Sequence, residues 1–428
     1  MNCISIKEYD YLYTESSGGD VPDACFNWLK EKVLSRQKNE QKAFLKLVSR
    51  KGKESLQVIN YVGLLQTPDG TCIEILPKIT NQFQERDKAV QLLLKMLKAV
   101  HNLPALESTE ADLGLKNQPL IEVLISMFLK YVAHLVHKGI RSDYQRVQDS
   151  RAFLKGRLHV AKQIRQPTSK QHLFCIEFDQ YRQDRPENRL LRSALDKVLK
   201  WSKDIANQRL ARELQFSFSD ISPSHQYKAD IASWRNDRSM VHYRPTLPWV
   251  KLILATQTPW FMSDSWKGIS LLFPMEQLYE QYLGKVLKMQ LPKGYVLTEQ
   301  ASRYSLTQHK GQNWFRLKPD FLIALNNKPL VVLDAKWKLI DARQNNSREK
   351  YGLSQADFYQ LFAYGEKYLP QGGDLFIIYP QHEAFEQPLE EFVFTEKLKL
   401  WIIPFDMGRD RVIFPANFTL KKEMSLVI

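Results

Sequence analysis

Cysteine is scarce in this sequence, whose 428 residues include only four, all far apart. None of them forms a Cys-x-x-Cys motif or lies in a Cys/His cluster, which argues against a structural zinc site. Four cysteines in so long a chain also make no disulfide framework, and this is typical of proteins from a reducing compartment. The cysteines are Cys3, Cys25, Cys72 and Cys175.

Long hydrophobic runs are also missing. The first residues lack the apolar core of a signal peptide. The most apolar stretch, 120–136, is interrupted by Glu122, Lys130 and His134, so it is predicted to be a buried helix rather than a membrane span. We therefore expect a cytoplasmic protein that does not contact a membrane.

The composition is that of a globular protein, with 44% apolar and 25% charged residues. The length predicts several domains. Lys and Arg exceed Asp and Glu by 61 to 47, which gives a formal net charge of +14. Such a balance fits a polyanionic partner such as DNA, although basicity alone does not establish one.

The first 165 residues are predicted to form a mixed β and helical domain. A hairpin is expected around the turn residues 67–70, because Pro68 presets φ and Gly70 accepts a positive φ. Helices are predicted at Ala89–His101 and Pro119–Lys138. The basic segment Lys30–Lys53 is either a solvated face or a contact surface for nucleic acid or an acidic partner.

Residues 166–265 are predicted to form a mainly helical connecting region. Its clearest element is a helical run at Glu187–Ala206, which follows Pro186, a residue favoured in the first helical turn.

Residues 266–428 are predicted to form a third domain of mixed α/β (α+β) class, with a central mixed sheet flanked by helices. Apolar residues recur with helical spacing from Met275 to Leu287. A second helix is predicted at Gln355–Tyr368, with Ser354 and Asp357 as a capping box. Short apolar strands are predicted at 295–298, 321–325, 330–337, 376–379, 391–395 and 400–403.

Two of these strands carry a set of charged residues. Asn326 and Asn327 would turn the chain between them, so that Asp320 at the start of one strand meets Asp334 at the end of the other. Asp334 and Lys336 are two residues apart and therefore share a face. A solvated surface pair is one interpretation, but Asp334 ends an apolar run, where a charge needs a partner or a function.

Two carboxylates and an ammonium group at one sheet surface suit phosphodiester hydrolysis. Mg²⁺ prefers carboxylate and carbonyl oxygens and keeps positions for water and phosphate. Bound there, it would polarise the phosphate and lower the pKa of the attacking water. Lys336 would orient that water or offset the charge that develops on the phosphate.

The pattern Pro319-Asp320 followed by Asp334-Ala335-Lys336 resembles the core of the PD-(D/E)XK nucleases. The resemblance implies a site for Mg²⁺ or Mn²⁺ formed by Asp320, Asp334 and the backbone carbonyl of Ala335, with Lys336 as a catalytic residue. It further implies that Glu280 on the preceding helix joins the metal site. Gln360 and Tyr364 on the following helix match a Gln-x-x-x-Tyr motif that would support the site.

The whole chain resembles the McrC family, the nuclease subunits of McrBC modification-dependent restriction systems. The resemblance implies a type IV restriction endonuclease subunit that acts on double-stranded DNA carrying modified cytosine. It also implies a hexameric McrB-type AAA+ partner, whose GTPase the region 1–165 would engage and stimulate. GTP would be bound by the partner, in agreement with the lack of a P-loop motif here. The supporting segments are 73–79, 154–158, 187–191, 275–280, 334–336 and 357–364.

Two alternatives remain open. One is a non-catalytic assembly subunit that binds DNA or a motor through its basic N-terminal half, with the carboxylates purely structural. The other is a stand-alone DNA repair nuclease. The complete Asp–Asp–Lys set argues against the first, and the McrC-like N-terminal segments argue against the second.

Overall fold

The computed structural model describes residues 3–34, 44–50, 52–78, 86–104, 118–255, 269–416 and 418. The chain divides into two compact units. The first unit combines Met1–Asn102 with Ser270–Ile428, and the second unit is Leu103–Ile269. The mixed α/β class predicted from the sequence is confirmed.

The N-terminal part of the first unit consists of short strands and two helices. The predicted hairpin is present, because β5 pairs with β6 and Gly70 in the turn has a φ of 89°. The basic segment Lys30–Lys53 covers the end of α1 and all of β3, while its residues 35–43 and 51 lie outside the described residues. The elements are β1 Cys3–Lys7, β2 Tyr11–Leu12, α1 Asp23–Leu34, β3 Leu45–Arg50, β4 Lys53–Val58, β5 Tyr61–Gln66, β6 Cys72–Leu76 and α2 Arg86–Val100.

The second unit begins with the apolar helix α3. By length and composition this helix could cross a membrane, but 67% of its apolar window is buried within the protein, as the sequence predicts. Besides its helices, the middle region contains one strand that the sequence does not predict, β9, which joins a three-stranded sheet of order β7-β9-β8. The elements are α3 Leu120–Lys138, β7 Asp143–Arg151, β8 Arg157–Leu158, α4 Val160–Ile164, β9 Phe174–Arg182, α5 Pro186–Trp201, α6 Ile205–Ser217, α7 Tyr227–Ala232 and α8 Thr246–Val250.

The single helical run predicted at Glu187–Ala206 is wrong, since it is two helices that break at Ser202. Ser202 has extended backbone angles, and its hydroxyl donates a hydrogen bond to the buried carboxylate of Glu122 at 2.7 Å. Asp204 then starts α6 by accepting a hydrogen bond from the backbone N–H of Asn207. The buried carboxylate of Glu122 on α3 thus accepts a hydrogen bond from Ser202 that competes with continuation of the helix.

The C-terminal part of the first unit forms a seven-stranded mixed sheet. Its strand order is β11-β14-β15-β16-β18-β17, with β19 paired to β18. Strand β14 is antiparallel to β15, whereas β15, β16 and β18 are mutually parallel. The elements are β10 Ser270–Pro274, α9 Met275–Gln290, β11 Tyr295–Glu299, β12 Ser305–His309, β13 Gln312–Arg316, β14 Phe321–Leu325, β15 Lys328–Ala335, α10 Gln355–Tyr368, β16 Gly373–Pro380, β17 Phe392–Val393, β18 Leu398–Asp406 and β19 Arg411–Val412.

Helices α9 and α10 cover the two faces of this sheet. Leu361 and Tyr368 of α10 belong to a buried cluster with Val332, Leu375 and other residues of one face. The rings of Tyr279 and Tyr282 on α9 contact Phe405, which points to the opposite face. The predicted central sheet flanked by helices is therefore present.

The boundaries of the units have a structural cause. Strand β10 pairs with β5 in antiparallel fashion and so completes a sheet of order β1-β6-β5-β10. This pairing joins the N-terminal strands to the C-terminal part in one unit. The sequence instead predicts three consecutive regions, 1–165, 166–265 and 266–428, because such a long-range strand pairing leaves no local signal.

Candidate active site

The hairpin β14–β15 brings the predicted acidic residues to one end of two strands. Asn326 and Asn327 have φ values of 51° and 63°, as a two-residue hairpin turn requires. Phe321 pairs with Leu333, so Asp320 lies opposite Asp334. The backbone N–H of Ala335 donates a hydrogen bond to Asp320 Oδ2 at 2.8 Å, which fixes that carboxylate at the end of β15.

Asp334 and Lys336 form an ion pair. Asp334 is only 1% exposed, and Lys336 Nζ lies 2.8 Å from its Oδ2. The backbone N–H of Lys336 donates to the carbonyl of Ile378 at 3.0 Å. Lys336 is therefore held by the neighbouring parallel strand while its ammonium group faces the carboxylates, and the interpretation as a solvated surface pair does not apply.

Asp357 is a second carboxylate close to Lys336. Its Oδ1 lies 3.8 Å from Lys336 Nζ. The predicted capping box is wrong, because Ser354 makes no side-chain capping hydrogen bond. Asp357 lies instead on the side of α10 that faces Lys336, a contact that no sequence spacing predicts.

Glu280 is linked to the site by the side-chain amide of Gln300, a residue that the sequence analysis does not predict to be functional. Gln300 Nε2 donates to Glu280 Oε1 and, at 3.2 Å, to Asp320 Oδ1. The backbone N–H of Gln300 also donates to the carbonyl of Asp320 at 2.9 Å. The only feature that could have indicated a role for Gln300 is its position in the sheet. Glu299 pairs with Phe321, so Gln300, the next residue, must lie opposite Asp320.

The electrostatics of the site favour a cation. Burial, followed by the charges of Asp334 and Glu280, raises the pKa of Asp320 to about 8. Burial also raises the pKa of Glu280 and that of Asp334, although Lys336 opposes the second shift. Burial disfavours the charge on Lys336, but the adjacent Asp334 carboxylate raises its pKa overall. One lysine does not offset four neighbouring acids, which are Glu280, Asp320, Asp334 and Asp357.

The donor set fits a hard divalent cation that keeps much of its water. Within the described ranges, no group of three or more His, Cys, Asp or Glu side chains is arranged to enclose a metal ion. Mg²⁺ does not need such a cage, because it is usually bound by one or two carboxylates together with water and substrate phosphate. Asp320 and Asp334 meet this requirement, and Ala335, whose carbonyl is the third predicted ligand, directly follows Asp334 in sequence.

Gln360 and Tyr364 lie on α10, and Tyr364 contacts the backbone next to the acidic residues. Gln360 Nε2 donates to Tyr364 Oη at 2.6 Å, and that hydroxyl donates to the carbonyl of Lys318 at 3.0 Å. One turn further on, the hydroxyl of Tyr368 contacts the carbonyls of Ala301 and Leu317 at 2.9 and 3.1 Å. The helix thus fixes the backbone that leads into Asp320, and Tyr368 adds to the pair predicted from the motif.

The chain is similar to known proteins over most of its length. The family model for the McrBC 5-methylcytosine restriction system component matches residues 56–380. A chain in the refined half-complex from a tetradecameric assembly of Thermococcus gammatolerans McrB AAA+ hexamers with bound McrC has the same fold, with a TM-score of 0.71 and 21% identity over 100% of both chains.

A chain in the cryo-EM structure of the Thermococcus gammatolerans McrBC complex is also similar, with a TM-score of 0.52 and 21% identity. That match covers 68% of the present chain and 88% of the other. No curated protein matches the sequence.

Proposed function

The chain belongs to the family of McrBC 5-methylcytosine restriction system components, and from this premise we propose that it is the DNA endonuclease subunit of such a system. The observation that carries the proposal is the meeting of Asp320, Asp334 and Lys336 at one end of β14 and β15. The reaction is the metal-dependent hydrolysis of phosphodiester bonds in double-stranded DNA that carries modified cytosine. The proposed core is that of a PD-(D/E)XK nuclease.

Each residue of the site has a proposed task. Asp320, Asp334 and the Ala335 carbonyl would hold Mg²⁺ or Mn²⁺, with Glu280 as an auxiliary ligand. Such an ion supplies Lewis-acid polarisation of the phosphate and an activated water. Lys336, held between Asp334 and Asp357, is placed to stabilise negative charge that develops on the phosphate.

The remaining side chains position the ligands. Gln300 holds the carboxylates of Asp320 and Glu280 at a fixed separation through its two side-chain hydrogen bonds. Gln360 and Tyr364 hold the backbone that precedes Asp320. A rigid arrangement of this kind limits the reorganisation that the reaction requires.

The proposal includes a partner. A similar structure is that of McrB AAA+ hexamers with bound McrC, and the likeness covers this whole chain. The present chain would bind a McrB-type hexamer in the cytoplasm and stimulate its GTPase through the region 1–165, while GTP is bound by the partner. Modified cytosine would then be selected by the assembly.

The decisive experiment replaces one ligand while keeping its shape. We expect Asp334→Asn to reduce cleavage of modified DNA by at least about 10³-fold in the presence of the partner, GTP and Mg²⁺, because the neutral amide binds the cation much more weakly than a carboxylate does. Asp374→Asn is the matched control, since Asp374 lies on the adjacent strand and accepts a hydrogen bond from Trp401 that an amide oxygen can preserve. Folding and assembly are followed by thermal melting and size-exclusion chromatography.

Two results would contradict the proposal. Undiminished cleavage by Asp334→Asn would remove this residue from the mechanism. Calorimetric titration that detects no Mn²⁺ binding to the wild-type chain, alone or with DNA, would favour a non-catalytic assembly subunit.

A further inference from the structure

The hairpin β12–β13 stands out among the described residues because almost all of it is exposed. Ser305 is half-buried, and every other residue of 305–316 is exposed. Lys310 and Gly311 form a two-residue turn with φ values of 50° and 76°. The two strands form a separate two-stranded sheet. A hairpin with so little burial contributes little to the core, so a role in stability does not explain its presence.

The charge of this segment has one sign. Residues 301–319 contain four cations and no acidic residue. In the part of the chain that the structure describes, none of the four forms an ion pair with a carboxylate. Such a surface favours a polyanion, since its cations can neutralise phosphates and release their counterions. The cations are Arg303, Lys310, Arg316 and Lys318.

Aromatic side chains lie among these cations. Trp314 is 45% exposed and Phe315 is 68% exposed. Thr307 pairs with Trp314, and Ser305 pairs with Arg316, so Trp314 and Arg316 are on the same face of the hairpin. The ring of His309 contacts that of Trp314 at 5.1 Å. Aromatic and basic side chains on one exposed face are typical of nucleic-acid contact surfaces.

Both ends of the hairpin are fixed to the proposed active site. On one side, Gln300 donates to the Asp320 carboxylate. On the other side, the carbonyl of Lys318 accepts the hydroxyl of Tyr364. The base is closed by a hydrogen bond from the N–H of Leu317 to the carbonyl of Tyr304 at 2.9 Å. A duplex that reaches Asp320 must therefore pass close to this base.

We propose that the β12–β13 hairpin is a DNA-binding arm that holds the duplex backbone next to the active site. This inference rests on the proposed function and adds to it the surface that contacts the substrate. Five-residue strands extend about 17 Å, or about half a helical turn of DNA. The arm contacts phosphates through its cations, and Trp314 packs against the backbone between them.

The test is duplex binding by the full chain without divalent metal, measured by fluorescence anisotropy between about 50 and 200 mM NaCl. The variant Lys310→Ser/Arg316→Ser is expected to bind about 10- to 100-fold more weakly near 100 mM salt, and its slope of log K against log salt should be smaller by about 1.8. Trp314→Ala should weaken binding without changing the slope, because it removes no charge.

The matched control is Lys293→Ser/Lys328→Ser. It removes the same charge from exposed positions, and Lys328 lies at the far end of the β14–β15 hairpin from Asp320. This control should retain wild-type affinity. All of the substituted side chains are exposed, and thermal melting verifies that each variant is folded.

Three outcomes would overturn the inference: a wild-type chain that binds no duplex at low salt, an arm variant with wild-type affinity and slope, or an arm variant that loses only its binding to the AAA+ partner. The last result would make the arm a protein-binding element. In the second case the arm variant would still cleave DNA and the proposed function would stand. The proposed function fails separately, if Asp334→Asn cleaves normally.

Discussion

The acidic cluster, which is formed by Glu280, Asp320 and Asp334, and the β12–β13 hairpin belong to the same stretch of sequence, yet their charges are in opposite surroundings. Asp334 is 1% exposed and paired with Lys336, and burial raises the pKa of Asp320 to about 8. The hairpin residues other than Ser305 are exposed, and the hairpin's charges are all positive. The acids are packed where charge is costly, which suits the binding of a cation. The arm keeps its cations in water, which suits a reversible contact.

After Asp334→Asn, the largest expected effect is that of a substitution which tests whether the buried ion pair is catalytic or only structural. Lys336→Gln is expected to reduce DNA cleavage by about 10²- to 10³-fold, because it removes the positive charge held 2.8 Å from Asp334. Lys338→Gln is the control, since Lys338 is an exposed lysine two residues further along the chain. Single-turnover cleavage with the partner present measures both. Equal rates for the two variants would show that the ion pair has no part in the reaction.

A second prediction concerns the pH dependence of the cluster in the metal-free protein. The folded state retains a proton on Asp320 up to about pH 8, whereas an unfolded Asp loses it near pH 4. Stability should therefore fall as pH rises between about 4 and 8, since the unfolded state binds fewer protons. Asp320→Asn should raise the melting temperature by several degrees at pH 8 and by little near pH 4.

The pH dependence of Mg²⁺ binding is a second test of the raised pKa of Asp320. Metal binding requires the deprotonated carboxylate, so the half-saturating Mg²⁺ concentration should fall as pH rises toward 8. Arm variants keep all the carboxylates of the site, so their Mg²⁺ binding should depend on pH as that of the wild type does. The raised pKa of Asp320 would be ruled out if the melting temperatures of the wild type and of Asp320→Asn differed by the same amount at every pH from 4 to 8.

The smallest effects compare one buried and one exposed aromatic residue. Tyr368→Phe should cost about 1–3 kcal/mol of unfolding free energy, because its buried hydroxyl contacts the carbonyls of Ala301 and Leu317. Trp314→Ala should change stability by no more than about 0.5 kcal/mol, since Trp314 is 45% exposed. Urea denaturation measures both. A large loss of stability in Trp314→Ala would mean that the arm is part of the core.

Much of the site follows from local sequence. The pair Asn326-Asn327 predicts the hairpin, and the spacing of Asp334 and Lys336 predicts their shared face. The helix at Gln355–Tyr368 has the predicted bounds. Local sequence does not predict the exposed hairpin, because its polar strands lack the apolar alternation by which strands are recognised.

What the sequence alone determines about this protein is the β14–β15 hairpin, the helices α9 and α10 and the identity of the acidic pair, since hydrophobic period and turn chemistry act over a few residues. Only the tertiary structure decides that β10 completes the N-terminal sheet, that Gln300 joins Glu280 to Asp320, and that Asp357 faces Lys336. These contacts join residues about 20 or more positions apart, and the packing of whole helices and strands fixes them rather than any local pattern.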